Sequence, residues 1–533
     1  MPTADEQNGE PAREQARGEQ QSFSTSRRIA GGAGVRAIGE VVAKLANVVF
    51  FIVIARELGE QGFGDFIFGI TFSAVLMLAA GFGTDELLAR EVARDKARVH
   101  TMYRNILTLK AVLMVLLLGV MAAVVSLGNY SAETELAVLL IGVGTALEYL
   151  AKTVQAIFQA YERMQYTAAS LILQRMFTAA IGTFVVLDGG GLVAAAAVMA
   201  VGGLVGLGSS LWWLRRSVVR PEGRVDRSRW PGIAKAGAPL GVMFLLYIAL
   251  IKLDATLLSF LNGGDNQAVG QYGAAYRLVD ATMFLSWSFG AAILPWFATH
   301  RDSGAVSLGR GYELGLKVMV TILLPIGITY AVFASQIIDL LYGSEYAGAV
   351  GPLRLLGAMT VLFGINTFVS VVLIARDRPG EFTRPAVIVL VQNIVFNLIL
   401  IPRYGASGAA FNAVLSGVLL ALLTVGGVGR RLGTVSFVRA TATPIAAGSS
   451  MAVVGLLLVA AGIEWVVAAA LSALVFAAVF FAIERAFYRD DFALYVGALR
   501  FRERFRRGGP PSDRQAEALA EGGFDLAEGR LDL

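Results

Sequence analysis

Residues 34–96 read GVRAIGEVVAKLANVVFFIVIARELGEQGFGDFIFGITFSAVLMLAAGFGTDELLAREVARDK, and this stretch decides the fold. It contains two apolar runs, each long enough for a membrane-crossing helix, joined by a glycine-rich turn. The first run carries Arg36, Glu40 and Lys44, whose spacing of four residues places them on an arc of about 80° of one helix face. An ionised side chain that faces lipid at mid-helix costs at least about 2.5–3.5 kcal/mol. The pattern therefore predicts a helix bundle around a polar cavity.

The composition predicts an all-α polytopic membrane protein. Of the 533 residues, 56% are hydrophobic and 16% are charged, and the mean hydropathy is +0.65. Residues 192–214, 404–429 and 440–463 carry no charge, and each run exceeds the length of about 20 residues that spans a bilayer. The chain has no cysteine, which excludes disulfides and thiolate metal sites, and its two histidines lie in predicted loops. We therefore expect no metal centre.

The apolar runs predict about fourteen transmembrane helices. Arginine and lysine concentrate in alternate loops, notably 90–104, 215–229, 376–384 and 430–439, while the loops between them hold few basic residues. Basic loops stay on the cytoplasmic side of a membrane. The distribution therefore predicts a multi-pass protein of the cell membrane with both termini in the cytoplasm.

The chain also contains a repeat. The turn LGEQGFGDF (58–66) resembles NGGDNQAVGQY (262–272), and residues 170–191 align with 387–408. Because six helices separate the copies, the two halves have the same orientation in the membrane. The predicted organisation is a disordered tail (1–28), an N-lobe of helices 1–6 (29–214), a basic linker (215–231), a C-lobe of helices 7–12 (232–430), two further helices (431–487), and a cytoplasmic interfacial helix with a disordered tail (488–533).

Six short segments carry a resemblance to a known family. They read ARELGEQGFGDFIFGITFS (55–73), GTDELLAREVARDK (83–96), LDATLLSFL with VGQYGAAYRLVDA (253–281), ILPWFA (293–298), LLYGSEYAGA (340–349) and IPRYGASGAAFNAVLSG (401–417). Residues 27–430 resemble the O-antigen-type polysaccharide biosynthesis flippases of the multidrug/oligosaccharidyl-lipid/polysaccharide exporter superfamily. The resemblance implies a V-shaped pair of six-helix bundles that moves a lipid-linked oligosaccharide from the cytoplasmic to the outer leaflet by alternating access.

A cargo that carries a phosphate or pyrophosphate needs fixed cations in the cavity. The intramembrane candidates for substrate binding are Arg36, Lys44, Lys152, Arg175, Lys252 and Arg277. The alternative is that some of them only pair with acids nearby in the sequence. We predict structural or gating roles for Glu40, Arg90, Glu91 and Asp280.

A coupling-ion site is a further expectation. Asn393 and Asn397 lie one helical turn apart, and Asp254 lies on the seventh helix. The pattern is similar to the sodium site of lipid II flippases, and oxygen ligands of this kind suit a hard cation. We expect no organic cofactor, with Na⁺ or H⁺ as the possible coupling ion.

The competing function is a cation-coupled multidrug exporter of the same fold. Such a protein should display acids in its cavity for cationic drugs, whereas bases exceed isolated acids on helices one, four and five. A membrane enzyme is disfavoured because every predicted outer loop is short, and no GxxxxGK[ST] loop for ATP is present. The expected partners are the lipid-linked oligosaccharide, membrane lipids and a glycan polymerase; we expect a monomer and no nucleic-acid partner.

Overall fold

The computed structural model describes residues 10–81, 83–299, 305–376, 380–432, 436–489 and 491–492. Within these ranges it describes all side chains except those of residues 10–45, 239–240, 243–244, 247, 305–307, 380 and 426–432. Every secondary-structure element of the described residues is a helix, and these residues contain no strand. The protein is therefore an all-α polytopic membrane protein, as the composition predicts.

Fourteen α-helices follow one another along the described chain. They are α1 (Glu10–Gly81), α2 (Thr84–Arg94), α3 (Arg98–Ser126), α4 (Ala132–Ala160), α5 (Met164–Leu187), α6 (Gly191–Trp213), α7 (Trp230–Leu261), α8 (Gln267–Thr299), α9 (Ala305–Val332), α10 (Ala334–Tyr342), α11 (Val350–Ala375), α12 (Gly380–Leu432), α13 (Phe437–Ala460) and α14 (Trp465–Phe487). Eleven helical stretches of the described residues are long and apolar enough to cross a membrane.

Two of these stretches fold back on themselves and so supply two helical arms each. In α1 the backbone leaves helical geometry at Gly59 (φ 65°), and the rings of Phe50 and Phe66 on either side of the turn lie 6.3 Å apart. In α12 the break is at Gly405 (φ 53°), and Gln392 Nε2 donates to Asn412 Oδ1 at 2.8 Å. Counting both arms of each hairpin and adding α7, the described chain has the fourteen long helical segments that the sequence predicts.

The direction of the helices defines two ends of the bundle. The basic end holds the α2–α3 loop, the linker 214–229 and the chain after α11, and the opposite end holds the turns at Gly59, 127–131, 262–266 and Gly405. The linker is fixed to the start of α3, because His100 Nδ1 accepts from the Glu222 amide at 3.2 Å and Asn105 Oδ1 accepts from the Asp226 amide at 2.7 Å. Hydrogen bonds from Ser228 hold the pKa of Asp226 below its ordinary value.

The ends of the chain correct one expectation. Helix α1 begins at Glu10, so helix extends into the segment 1–28 that the sequence analysis expects to be disordered. Alanine, arginine, glutamate and glutamine dominate residues 10–20, and these are strong helix formers even without an apolar face. Most of the expected interfacial helix and tail, 493–533, lies outside the described residues. The domain boundaries stay a prediction.

Helix packing groups the elements into two halves with α1, α7 and α8 between them. Helices α4, α5 and α6 pack on one another and on α1, while α8, α9 and α12 pack around α11. The two halves meet where α1 contacts α7 and α8 and where α2 contacts α7. Helix α13 packs on α9 and α14, so the last two helices lie outside the repeat on the C-lobe side.

A fully buried lysine ties three helices of the N-lobe together. Lys110 Nζ on α3 lies 2.8 Å from Asp85 Oδ2 on α2 and donates to Thr153 Oγ1 on α4 at 2.8 Å and to the Tyr149 carbonyl at 3.0 Å. The side chain of Lys110 is 0% exposed. Helix α2 follows a break at Gly83 (φ 64°), and this ion pair ties the short helix to α3 and α4.

We expect Lys110→Met to lower the free energy of unfolding by about 3 kcal/mol, because it leaves a mostly buried carboxylate without its cation. The measurement is thermal unfolding of the purified protein in detergent. Lys235→Met, at an exposed position of α7, is the matched control. The double variant Lys110→Met/Asp85→Asn should recover more than half of the loss, since it removes both charges. Equal stability of the Lys110 and Lys235 variants would show that the pair is not structural.

A second buried cation, Lys317, ties the end of α14 and the residues just after it to the C-lobe. Lys317 Nζ on α9 lies 3.0 Å from Glu484 Oε1 at the end of α14 and 2.6 Å from Asp491 Oδ2, and Asp491 also pairs with Arg310. Lys317 and Arg310 donate to both oxygens of Glu484 and of Asp491, whose carboxylates are fully buried, and Arg310 also donates to Glu313 Oε2 at 3.4 Å. The last helix is therefore tied to α9 at the basic end.

Candidate substrate cavity between the two lobes

A cavity of about 600 Å³ lies where the two halves meet. Its walls come from α1, α4, α5 and α6 on one side and from α7, α8 and α11 on the other, with Tyr342 of α10 at one point. A volume of this size is typical of sites for small ligands or for the head group of a larger one. Both lobes thus contribute to one site, and a bound ligand would touch both.

Three of the predicted cations line this cavity and come from both sides of it. Arg175 projects from α5, Lys252 from α7 and Arg277 from α8. The Arg277 guanidinium lies 3.7 Å from the ring centroid of Phe51 on α1, and Lys252 Nζ lies 5.2 Å from the ring centroid of Tyr276. Arg277 therefore already contacts the N-lobe across the boundary between the halves.

Two acids share the cavity wall, and each has a cation close by. Arg277 Nη1 lies 3.5 Å from Asp280 Oδ2, and Lys152 Nζ lies 3.5 Å from Glu148 Oε1. The cavity lining includes Glu148 but not Lys152, whose Nζ also lies 4.0 Å from the Tyr149 ring centroid. Arg175 has no ion pair with any residue of the described part of the chain and is exposed in the cavity wall. Lys252 likewise has no ion pair within the described residues, so of the three lining cations only Arg277 has an acid close by.

The charged residues predicted on the first helix have no described side chains. The side chains of Arg36, Glu40 and Lys44 lie outside the described residues, although their backbone belongs to α1. Asn47, which falls on the same helix face in the sequence pattern, lines the cavity. A role for the three charged residues in substrate binding or structure stays a prediction.

The residues expected to form a gate are ion-paired at the basic end. Arg90 Nη2 lies 3.3 Å from Glu91 Oε1, Arg94 Nη1 lies 3.8 Å from the same oxygen, and Arg98 donates to Glu91 Oε2. The arginine side chains are 51–71% exposed, so this cluster contributes little to stability on its own. Its position beside the contact between α2 and α7 is compatible with either a gate or an end cap.

The residues of the predicted cation site lie in one buried cluster in the C-lobe. Asp254 Oδ1 accepts from Asn393 Nδ2 at 3.0 Å and from Asn397 Nδ2 at 2.6 Å, and Asp254 Oδ2 accepts from the Tyr272 hydroxyl at 3.3 Å. Asn397 Oδ1 is buried and has no hydrogen-bond partner among the described residues. Amide groups can rotate to present oxygen instead of nitrogen. The donor set fits a small hard cation or a proton on Asp254, and binding of either stays a prediction.

The two halves are in backbone contact at the opposite end of the bundle. We call the residues Glu60, Gly64, Asp65, Asn266 and Gly270 the opposite-end seal. Asn266 Nδ2 donates to Asp65 Oδ1 at 2.6 Å. A side chain on Gly64 would place its Cβ 1.9 Å from the Asn266 carbonyl oxygen, and one on Gly270 would place it 2.1 Å from the Glu60 carbonyl oxygen. Only glycine permits so close an approach, so the two halves touch through their backbones at this end of the bundle.

Further contacts between the halves flank the seal. Gln267 Nε2 donates to Glu60 Oε2 at 2.6 Å, and the Tyr346 hydroxyl donates to the Ala55 carbonyl at 2.8 Å. Arg56 Nε donates to the Leu341 carbonyl at 2.7 Å. The two turns that the sequence analysis matches as a repeat therefore meet each other at one end of the cavity.

An aromatic wall is the feature of the cavity that the sequence analysis missed. Phe51, Phe284, Trp287 and Phe363 line the cavity, and the rings of Trp287 and Phe363 lie 6.3 Å apart at an interplanar angle of 65°. Arg277, Asp280, Phe284 and Trp287 recur every three or four residues along α8, which is the spacing of one helix face. Once Arg277 was taken to face the cavity, this spacing could have predicted that Phe284 and Trp287 face it too.

Comparison with known proteins gives relatives named as flippases. The chain is 23% identical over 397 residues to the "Probable low-salt glycan biosynthesis flippase Agl15" of Haloferax volcanii, which covers 72% of this chain and 78% of that protein. It is 29% identical over 206 residues to the "Probable flippase AglR" of the same organism, which covers 38% of this chain. That match spans 43% of AglR, and a match to an uncharacterized membrane protein of Methanocaldococcus jannaschii spans 35% of the relative.

Solved structures with the same fold are transporters. "Lipid II flippase MurJ, inward closed conformation" superimposes with a TM-score of 0.71 at 15% identity, covering 86% of this chain and 99% of that one. An inward-facing multidrug resistance MATE transporter of the MOP superfamily gives a TM-score of 0.62 at 18% identity, covering 73% of this chain and 94% of that one. At these identities the likeness establishes the fold alone, which is that of a polytopic helical membrane protein.

A family profile described as "Polysaccharide biosynthesis protein" matches residues 29–300, which is more than half of the chain. The match begins with the first membrane helix and extends past Arg175, Lys252 and Arg277, so it includes the lining cations of the cavity. Family profile, named relatives and fold agree with one another. The chain belongs to the polysaccharide biosynthesis protein family.

Proposed function

We propose that this protein moves a polyprenyl-phosphate-linked or polyprenyl-pyrophosphate-linked oligosaccharide from the cytoplasmic to the outer leaflet of the cell membrane. The observation that carries the proposal is the cavity at the lobe boundary, which takes cations from both halves. Arg175 lies on one side of it, and Lys252 and Arg277 lie on the other. Arginine pairs with phosphate oxygens through two parallel hydrogen bonds, and a low-dielectric surrounding strengthens that attraction.

Alternating access supplies the mechanism of this proposal. A phosphorylated head group would bridge Arg175 of the N-lobe and Arg277 of the C-lobe, so binding would favour an arrangement in which the halves approach each other around it. Release would then need the opposite-end seal to part. Transport of this kind makes and breaks no covalent bond, and we assign the protein no enzymatic step. The basic end, with its arginine-rich linker, is the cytoplasmic end in this account.

The experiment is reconstitution of the purified full chain into liposomes. We expect it to flip a fluorescent polyprenyl phosphate that carries a short oligosaccharide, and not to accumulate a cationic dye such as ethidium. Because the fold is similar to that of a multidrug transporter, a cationic dye is the alternative substrate to test. Both acids of the cavity already have a cation within 3.5 Å, which disfavours their binding a cationic dye. Dye transport without glycolipid transport would overturn the proposal in favour of a multidrug exporter.

Coupling to an ion is the second part of the proposal. We assign Asp254, Asn393 and Asn397 as the site of Na⁺ or H⁺, because the carboxylate is fully buried and surrounded by amides that can turn their oxygens toward a cation. Asp254 of this site lies on α7, which also carries Lys252 of the cavity. Cation binding and substrate binding would thus act on the same helix.

We expect Asp254→Asn to abolish the dependence of flipping on an imposed Na⁺ or H⁺ gradient, because the amide carries no charge to bind the ion. The measurement is the initial flipping rate in liposomes with and without each gradient. Flipping down a substrate gradient should continue, and Ser416→Ala, beside the same cluster, serves as the control. If the Asp254 variant responds to the gradient as the parent does, the coupling site lies elsewhere.

A further inference from the structure

The linker between α6 and α7 carries six arginines that the acids of the same segment do not balance. All six are exposed; they are Arg215, Arg216, Arg220, Arg224, Arg227 and Arg229. Residues 214–229 contain two acids, Glu222 and Asp226. Of the six arginines, only Arg229 has an ion pair with a described residue, at 3.1 Å from Asp226. Five positive charges therefore lie close together without an ion pair in the described part of the chain.

The backbone that carries these arginines is fixed to the N-lobe. The hydrogen bonds that His100 and Asn105 accept from the linker hold it on the start of α3. Gly223 packs so closely there that an added Cβ would collide with the His100 carbonyl oxygen. Within the linker, Arg220 Nε donates to the Arg215 carbonyl at 3.2 Å. The linker therefore presents its guanidinium groups from a defined surface, and not from a loose loop.

The other arginine cluster at the basic end is built differently. Glu91 pairs with three arginines there, which are Arg90, Arg94 and Arg98. Positive charge is enough to keep a loop on the cytoplasmic side of a membrane, and both segments supply it. Orientation in the membrane therefore explains the arginines of the linker, but it does not explain why they lie together without the acids that the other cluster has.

Two tryptophans place the linker at the level of lipid head groups. Helix α6 has 23 residues, so it is about 34 Å long and its last turn reaches the edge of a hydrocarbon core about 30 Å thick. Trp212, which is 54% exposed, lies in this turn, and Trp230 begins α7. Tryptophan is enriched at membrane interfaces. The guanidinium groups of Arg216 and Arg227 lie 5.6 Å and 5.8 Å from the ring centroids of Trp212 and Trp230, respectively.

We infer that residues 214–229 form a binding surface for the head groups of anionic phospholipids in the leaflet at the basic end. Arginine donates two parallel hydrogen bonds to a phosphate group, and clustered basic residues attract an anionic leaflet. Lipid phosphates already lie at the depth of the two tryptophans, which favours a lipid over an acidic protein from the aqueous side. The inference goes beyond the proposed function, because it concerns a site on the outside of the bundle and not the cargo.

The test compares two probes on the purified, delipidated full chain in detergent: phosphatidylglycerol and phosphatidylcholine with the same acyl chains. Native mass spectrometry counts the bound lipids and gives a dissociation constant for each probe. The parent should bind phosphatidylglycerol at least about tenfold more tightly. Arg216→Gln/Arg224→Gln/Arg227→Gln should bring the two constants to within a factor of about two of each other, with that for phosphatidylcholine unchanged. The single variant Arg216→Gln should weaken phosphatidylglycerol about threefold.

A second triple variant is the matched control for charge. Arg163→Gln/Lys235→Gln/Arg485→Gln also removes three exposed positive charges at the basic end, but it takes them from three separate elements. Its preference for phosphatidylglycerol should stay within a factor of about two of that of the parent, because the cluster on the linker is intact. Arg277→Gln is the control for binding in the cavity, and it should also keep the preference.

Each contrary outcome identifies what is wrong. Equal binding of both lipids by the parent would show that the linker is not a lipid site. Loss of the preference in the control with three separate charges would make it a property of net charge, and loss in the Arg277 variant would place the lipid in the cavity; either result overturns the inference. An unchanged preference in the linker variant overturns it as well. All of these outcomes leave the flippase proposal to its own test.

Discussion

Replacing Gly64 with alanine should leave the cavity open at the opposite end of the bundle. The added Cβ would lie 1.9 Å from the Asn266 carbonyl oxygen, and both atoms belong to or adjoin backbone that cannot turn aside. The two halves would have to separate by an ångström or more at this point, which removes the hydrogen bond between Asp65 and Asn266 as well. We expect transport to fall by at least about tenfold, because a cycle that cannot close this end loses one of its two states.

Cysteine labelling measures this directly, since the natural chain has no cysteine. Ala281→Cys places a single thiol in the cavity wall with a small change of volume. In the parent background an impermeant maleimide added from the opposite-end side should label it slowly; with Gly64→Ala, labelling from that side should become fast. Gly270→Ala should behave alike, because its Cβ would meet the Glu60 carbonyl oxygen at 2.1 Å.

Gly62→Ala is the matched control for this experiment. It lies in the same turn, but its Cβ would meet only the side chain of Leu58 within its own hairpin, at 3.0 Å. Labelling of this variant should follow the parent. If the Gly64 and Gly270 variants remain monodisperse and also label like the parent, the seal is not what closes the cavity.

The second large effect is expected at Arg277. Arg277→Gln removes a cation that contacts both Phe51 of the N-lobe and Asp280, and it leaves that acid facing the site where the phosphate should bind. A hydrogen bond to a charged group contributes about 1.5–3 kcal/mol, and the exposed acid adds repulsion. We therefore expect the flipping rate to fall about a hundredfold, with Arg277→Lys losing less, because lysine keeps the charge without the two-point geometry.

A double variant distinguishes substrate binding from structural pairing. If Arg277 only neutralises Asp280, then Arg277→Gln/Asp280→Asn should restore transport, since it removes both partners of the pair. If Arg277 binds the phosphate, the double variant should remain as slow as Arg277→Gln. Arg175→Gln should slow transport about tenfold without any acid to compensate, because no described residue pairs with that arginine. Full recovery in the double variant would remove Arg277 from the binding site.

What the sequence could predict depended on how local each interaction is. Arg277 and Asp280 lie three residues apart, so helical periodicity alone identified that pair, whereas the Asn393 and Asn397 pair, one turn apart, was identified by its periodicity together with the resemblance to lipid II flippases. The fourteen helical segments and the repeat followed from runs of apolar residues and from glycine-rich turns. Such signals need no knowledge of how helices pack.

Contacts between distant parts of the chain could not be predicted from the sequence. Lys110 was not among the candidate cations, although it sits in the apolar run of α3, because its partner Asp85 lies on another helix. Lys317 pairs with Glu484, 167 residues away. Predicting the contact of Gly64 and Gly270 would have required knowing that α1 packs on α8. Predicting Trp287 in the cavity would have required knowing which face of α8 points into it, and that depends on the neighbouring helices. An unpaired charge in an apolar run predicts that a partner exists, but not which one.

The central claim is that the cations of this cavity hold the phosphate of a lipid-linked glycan, and one measurement tests it most directly. It is the rate at which maleimide labels Ala281→Cys in the otherwise natural chain, with and without a saturating polyprenyl-phosphate disaccharide. We predict that the glycolipid protects the thiol several-fold and that Arg277→Gln abolishes the protection at the same concentration. Labelling that is equally fast with and without the glycolipid, in a preparation that binds it, would place the substrate somewhere other than this cavity.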